Sequence, residues 1–445
     1  MMTVAYLANL FPSPVEPYVT SEIEELRSRG VRVIAGSVWK PDQRERSGTV
    51  LAGDPDFIVL QPFQITMLAK ALWLCLCRWR RIADLLERVM LQGRENPMQR
   101  AKALLHTWLG ACYALRLQER GVGHIHVRHI HVHHGYFGSW IAMVAARLLN
   151  VGYSMTLHGS DLLTHAPYLD TKLKNCGFCL TISEYNRRYI LGHYPDVEAG
   201  KVVVARLGVD VPEPVRFLGA KARTSGLREP DSRFRLLAVG RLHTVKDHAF
   251  LLRACAQLRQ RGLEVRCEIA GEGPERRNLE RLIGEYGLQE TVRLLGHTSR
   301  EQTDLLYGRA DVVVLTSRSE GIPLVLMEAM ARRKIVVAPA ITGIPELVIA
   351  GQTGFLYEPG SCEDFADRIL WLHSLASAPG SGHSTPSAAN HLDWVRSRAQ
   401  EQVRLHFNRT RNLETFGGFF LERVLERTAG RHEQRLHEDP LLQQI

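Results

Sequence analysis

From Asp311 to Pro339 the chain reads DVVVLTSRSEGIPLVLMEAMARRKIVVAP. VVVLT is the short β-branched run that a fully buried parallel strand requires. Gly321 breaks it, Pro323 stands where the first turn of a helix tolerates a missing N–H, and LVLMEAMA continues at helical spacing. A second apolar run, Ile335 to Ala338, comes at once after it. Strand, helix and strand in so short a span are one step of a parallel sheet covered by helices. The turn aims free helix N-terminal amides past the sheet edge, so Gly321, Ile322, Pro323 and Leu324 form a phosphate-binding geometry. Glu320 in the turn is placed to accept hydrogen bonds from hydroxyls. Glu328 sits inside the helix among Leu326, Met327, Ala329 and Met330, where a carboxylate needs a partner. A ligand hydroxyl is one such partner and an internal salt bridge the plainer one.

The same alternation runs outward in both directions. Strands are expected at Arg235 to Val239, Glu264 to Ala270, Val292 to Leu295, Val312 to Thr316 and Gly354 to Tyr357, with helices at Phe250 to Arg261, Pro274 to Tyr286 and Arg300 to Tyr307. The first half repeats the pattern, with strands at Thr3 to Leu7, Val31 to Ser37, His129 to His134, Tyr153 to Leu157, Phe178 to Ile182 and Val202 to Leu207. Residues 1–210 then make one domain, 211–233 a Pro- and Gly-broken linker, and 234–373 a second domain. Residues 374–390 read as a low-complexity surface loop, and 391–445 as helices returning to the first domain. The fold class is α/β, with two doubly wound domains whose carboxyl strand ends would border a ligand cleft.

With 445 residues, 45% hydrophobic and 23% charged, the composition excludes a disordered chain, a collagen and a small disulfide scaffold. The net charge is +9, and eight basic against three acidic residues fall between Gln64 and Ala103. Within that stretch Ile65 to Met90 reads as one basic amphipathic helix carrying Trp73 and Trp79, suited either to an anionic membrane face or to packing on its own domain. The eight cysteines lie mostly in apolar runs and read as reduced thiols; Cys176 and Cys179 have no second pair to complete a zinc site. No leader and no spanning helix is expected, which places the protein in the cytoplasm with peripheral contact at the inner membrane face.

Three further strand ends carry chemistry. AVGRLHTVKDH brings Gly240, Arg241 and Lys246 off the first strand of the second domain, a guanidinium fork and an ammonium able to clamp a diphosphate. IAGEGPERRNL has Gly271 and Gly273 but neither a GxGxxG register nor a P-loop lysine, so its small residues are expected to admit a base or ribose. TLHGSDLL puts His158 at a strand end, with Asp161 placed to cap the next turn of helix. The run from His124 to His134 carries six histidines, and alternate ones share a strand face. With no carboxylate or cysteine nearby in sequence, a functional metal is not expected.

Together these motifs resemble the retaining glycosyltransferases of family four, which share the GT-B fold. FPSPVEPYVTSEIEEL, HIHVHHG, TLHGSDLL, TISEYNRRYI, VGRL with Lys246, and the glutamates of EGIPLVLMEAMA carry the likeness, closest to colanic-acid and exopolysaccharide enzymes. The resemblance implies transfer of a hexose from a nucleoside-diphosphate sugar to a growing, lipid-linked glycan, with no metal and no cofactor. It implies that Arg241 and Lys246 neutralise the departing diphosphate, that Glu320 holds sugar hydroxyls and Glu328 the ribose, and that His158 lies by the anomeric centre and the sugar's distal hydroxyl. Glu16, Tyr18 and Asp161 would stand on the acceptor side, where Val15-Glu16-Pro17-Tyr18 departs from the family's Ser-Glu-Thr-Phe. The competing readings are an inactive scaffold of the same fold and a polyanion-binding protein. The latter predicts aromatic interleaving and repeats that the chain lacks, and no nucleic-acid partner is expected.

Overall fold

A computed structural model describes residues 2–13, 16–41, 54, 56–93, 95–120, 127–164, 166–212, 233–377 and 388–438. The chain divides into two compact units, Met1–Ala205 with Leu413–Ile445, and Arg206–Asn412.

The first unit holds a seven-stranded sheet in the order β3-β2-β1-β4-β5-β6-β7. Its strands are β1 (Thr3–Leu10), β2 (Arg32–Trp39), β3 (Ile58–Val59), β4 (Val127–His133), β5 (Gly152–Leu157), β6 (Phe178–Thr181) and β7 (Val202–Val204). Every pairing is parallel. Helices cover both faces, which is why β5 is buried at every residue and reads as a continuous run. Along β4 the period of two sorts side chains: Ile130 and Val132 enter the core beneath the helices Pro97–Glu119 and Phe137–Leu149. His129, His131 and His133 turn to the other face, where Phe420 of the helix Arg409–Glu438 sets its ring edge-on to His129 and His131.

A buried histidine stripe is tolerable only if each ring is satisfied. Register supplies the partners. His131 faces Ser154 and His133 faces Thr156 across β4 and β5, so Ser154 Oγ lies 2.6 Å from His129 Nε2 and 2.7 Å from His131 Nδ1, and Thr156 Oγ1 lies 3.0 Å from His131 Nε2.

The second unit holds six parallel strands in the order β10-β9-β8-β11-β12-β13. They are β8 (Phe234–Val239), β9 (Val265–Ala270), β10 (Val292–Gly296), β11 (Val312–Val314), β12 (Ile335–Pro339) and β13 (Phe355–Tyr357). Val312 and Val314 enter one apolar core and Val313 and Leu315 the other, as a strand covered on both sides requires. In both units the order reverses beside the first strand, at β1/β4 and at β8/β11. That is the doubly wound, Rossmann-like arrangement, and it opens a crevice at the carboxyl strand ends.

Several expectations shift. The stretch Ile65 to Met90 is two helices, Ile65–Cys77 and Ala83–Leu91, joined by the 3₁₀ turn Trp79–Arg81. The break serves the fold, because Arg78 and Arg81 both donate to the Leu148 carbonyl at a helix C-terminus, where cations are favoured. The helix Ala388–His406 packs within the second unit through Val395, Ala399 and Val403; only from Leu413 onward does the tail belong to the first. Residues 206–212 belong to the second unit, with Val209 bridged to Asn408. The rest of the expected linker (213–232), the heart of the expected loop (378–387), His124 and His126 lie outside the described residues.

Phe420 is fully buried against Tyr6, Phe178, His129 and His131. Phe420→Ala is expected to destabilise the first unit by about 3–5 kcal/mol, read as a fall in urea midpoint.

Candidate active site

In the second unit the loop after β8 is laced to the segment after β11. Thr316 Oγ1 donates to the Lys246 carbonyl at 2.9 Å, and the Arg318 amide donates to the Val245 carbonyl at 2.9 Å. Asp247, held at a left-handed φ of 45°, caps the helix His248–Gln260 by accepting from the Phe250 amide. It also accepts from Arg318 Nε at 2.6 Å. The lacing delivers Lys246 Nζ to Glu320 Oε1 at 2.5 Å, with the two side chains 21% and 12% exposed. Thr342 Oγ1 donates to the Glu320 carbonyl at 2.5 Å and fixes the turn from behind. Beyond it lie Gly321, Ile322 and Pro323, the last being the N-cap of the helix Leu324–Ala331. Arg241 is exposed and makes no ion pair among the described residues.

Two sequence readings change at this edge. A Cβ on Gly271, at φ +147°, would stand 2.0 Å from the Gly240 carbonyl oxygen, and one on Gly273 2.3 Å from that of Leu242. These glycines therefore let one loop lie on another, with Leu242 N donating to the Glu272 carbonyl at 2.8 Å. Room for a base or ribose is not what requires them. Glu328, in turn, is paired with a phenol: Tyr307 donates to its Oε2 at 3.0 Å. Burial first, and Glu328 second, push that phenol well above its ordinary range. Arg332, the nearby cation, spends its guanidinium on the Glu328 carbonyl and on Asp304.

In the first unit the expected residues converge where β4 and β5 end. His158 Nε2 lies 3.0 Å from His133 Nδ1, His133 Nε2 lies 3.0 Å from Glu22 Oε2, and the Tyr6 hydroxyl donates to that same oxygen at 2.9 Å. The Tyr18 ring lies 4.6 Å from that of His158. Asp161 does not cap the helix Ser160–Leu163 in which it sits. Its fully buried carboxylate accepts from the amides of Gly135 (2.9 Å), Gly159 (2.8 Å) and His158 (3.1 Å).

His134 stands between two acids, Nε2 2.8 Å from Glu16 Oε1 and Nδ1 at an ion-pair distance of 3.6 Å from Asp161 Oδ2. Burial opposes its charge, but the two carboxylates outweigh burial and raise its pKa to about 10. His158, one ring away at 4.6 Å, is driven well below its usual value by burial and then by the His134 charge. At neutral pH these neighbours are a cation and a neutral imidazole.

Residues 223–378 match the family model described as glycosyl transferases group 1. That match falls within the second unit. Over 277 residues the chain is 29% identical to a protein of Salmonella typhimurium named putative colanic acid biosynthesis glycosyltransferase WcaL, covering 60% of this chain and 62% of that one. Over 180 residues it is 33% identical to the amylovoran biosynthesis glycosyltransferase AmsK of Erwinia amylovora, covering 39% and 42%. The chain thus spans about three fifths of the one and two fifths of the other. Among solved structures, a sucrose-phosphate synthase of Thermosynechococcus elongatus superposes with a TM-score of 0.67 at 20% identity, over 95% of this chain and 99% of that one. Anabaena HepE in complex with UDP does so at 0.64 and 18%, over 95% and 100%. The fold is GT-B, built of two Rossmann-like units.

Within the second unit the lacing brings Lys246 and Glu320 together and leaves the helix N-terminus beside them. Sequence reasoning missed Thr342, Tyr307, Glu22, His133 and His134 as members of these clusters. An alternating histidine face opposite a glutamate four residues beyond Tyr18 was the available signal for Glu22 and His133; His134, just past the strand, had none.

His134 binds its proton more tightly folded than unfolded, so the charge stabilises fully below about pH 6.5 and that contribution is lost as pH rises through about 10. Urea titrations across this window should show His134→Gln less stable than the parent at pH 6, with the gap closing toward pH 10.

Proposed function

We propose that this protein transfers a hexose, with retention of configuration, from a nucleoside-diphosphate sugar to a growing lipid-linked glycan of exopolysaccharide type. The observation that carries the reading is the Lys246–Glu320 pair beside the open N-terminus of Leu324–Ala331. A bound diphosphate would replace Glu320 as the counter-ion of Lys246, with Arg241 as a second cation, and would free the Glu320 carboxylate for sugar hydroxyls. Glu328 keeps its second oxygen for a ribose while Tyr307 holds the first. His158, Glu16 and Tyr18 are assigned to the sugar and acceptor side. Two cations and a helix N-terminus supply the charge that a leaving diphosphate needs, so no metal and no cofactor is part of the proposal. Glu22, His131 and His133 could hold an ion by proximity alone, yet each has hydrogen-bond partners that already account for its burial.

Lys246→Ala and Glu320→Gln should each lower transfer by about 10²–10³-fold. Stabilisation by one of UDP, GDP or ADP in a metal-free thermal-shift assay should disappear in Lys246→Ala. No response to any of the three would end the glycosyl-transfer reading.

The same reading puts the protein against an anionic membrane from the cytoplasmic side. No described helix is long and apolar enough to cross one. The helix Ile65–Cys77 buries Met67 and Ala71 but leaves Ile65, Leu72, Trp73 and Leu76 54–85% exposed along one stripe. Lys70 and Arg80 flank it, both exposed. The triple variant Leu72→Ser, Trp73→Ser, Leu76→Ser should keep its urea midpoint and lose sedimentation with phosphatidylglycerol vesicles; undiminished sedimentation would remove the membrane from this account.

A further inference from the structure

One end of the hydrogen-bond chain at β4 is closed. Glu22 is 5% exposed, His133 0%, and Tyr6, 1% exposed, donates into the same carboxylate oxygen that His133 Nε2 meets. A carboxylate oxygen that takes a phenol proton acts as an acceptor, so the imidazole opposite it is the donor. His133 then carries its proton on Nε2 and offers a lone pair at Nδ1, 3.0 Å from His158 Nε2. That contact forms a hydrogen bond only if His158 Nε2 bears the proton. The Nδ1 of His158 is left as a lone pair.

The alternative, a doubly protonated His133, would put a second imidazolium beside the charged His134 and against the rings of His131 and Tyr6. The groups facing His158 are Tyr18, His133, His134 and Asp161, whose carboxylate takes the His158 backbone amide. The Asn186 side-chain amide donates to its carbonyl at 3.2 Å. None of these contacts takes His158 Nδ1, which has no partner among the described residues and is not among their buried unpartnered atoms.

We propose that Glu22 and His133 are positioning residues that fix His158 in its Nε2–H tautomer, so that Nδ1 is presented as a hydrogen-bond acceptor to a substrate hydroxyl. The hydroxyl rests on the glycosyl-transfer reading; the tautomer does not. His158 in this state cannot deliver a proton to a leaving group. It orients a hydroxyl donor, and a sugar lacking that hydroxyl would leave the lone pair unmet.

The full chain labelled with ¹⁵N-histidine tests this without any ligand. Two-bond ¹⁵N–¹H spectra, assigned with His158→Asn, should show His158 with a protonated Nε2 and a bare Nδ1 at pH 7. A protonated Nδ1, or an imidazolium, overturns the proposal. In Glu22→Gln the new amide can donate to His133 Nε2 and reverse the chain, moving the His158 signals toward the Nδ1–H form. In the same variant kcat should fall on the order of 10–10³-fold, the scale of a lost orienting partner, with donor KM held. Tyr6→Phe keeps the acceptor at Glu22 and should leave the tautomer as it was. A lowered kcat in Glu22→Gln with an unmoved tautomer would reduce Glu22 to a structural group and overturn the proposal. A correct tautomer in a chain that transfers no sugar would instead sink the glycosyl-transfer reading alone.

Discussion

Right-handed crossovers allow a parallel sheet to grow in only one sense from its first strand, so a sheet covered on both faces must reverse its winding once. Everything with chemistry in this protein hangs on that reversal. At β8/β11 it parts two connections and leaves their ends facing the same opening, where the Thr316 and Arg318 hydrogen bonds draw Lys246 onto Glu320. At β1/β4 it leaves His133 and His134 at a strand end with room for Glu22 and Glu16 from the helical side. The sheet sets where charge is collected; the loops decide which charge.

The two openings solve different electrostatic problems. In the second unit a cation and an anion are held partly open to solvent, an arrangement easily rewired because neither partner is deeply buried. In the first unit the groups are buried and the solution is rigid. Asp161 takes three backbone amides, His134 is kept charged between two acids, and His158 is kept neutral beside it. Environments that drive two neighbouring imidazoles apart give each one a single role near neutral pH.

Much of the fold was legible because parallel strands covered on both faces must be apolar throughout: VVVLT, RLLAV and YSMT declare themselves. β3 escaped, since Ile58 and Val59 are too few to show a period. The helix Pro97–Glu119 escaped for the opposite reason, its face mixing Trp108 and Thr107 with small residues such as Gly110 and Ala111. The single helix expected over Ile65 to Met90 failed because a periodic stripe does not reveal that Arg78 and Arg81 are needed by another helix end. In the site, Lys246 and Glu320 were legible as strand-end charges. Gly271 and Gly273 were legible as tight spots, but the atoms crowding them, the Gly240 and Leu242 carbonyls, come from another loop that spacing alone does not bring near. Tyr307 and Glu22 were hidden because each meets its partner across elements far apart in sequence.

The helix Arg409–Glu438 gives the first unit a peculiar order of assembly. The polar face of β4 is made early in synthesis, yet the Phe420 ring that covers it is encoded about 290 residues later, after the whole second unit. At the usual pace of translation that is roughly 15–60 s during which a row of histidines waits beneath an unfinished roof. The second unit, by contrast, is continuous in the chain. Ser154 and Thr156 meet His129 and His131 from the neighbouring strand, and Glu22 meets His133, all from parts of the chain made before Phe420. The polar side chains of that face thus find hydrogen-bond partners within the earlier-made part of the unit, and the later helix adds only an apolar cover.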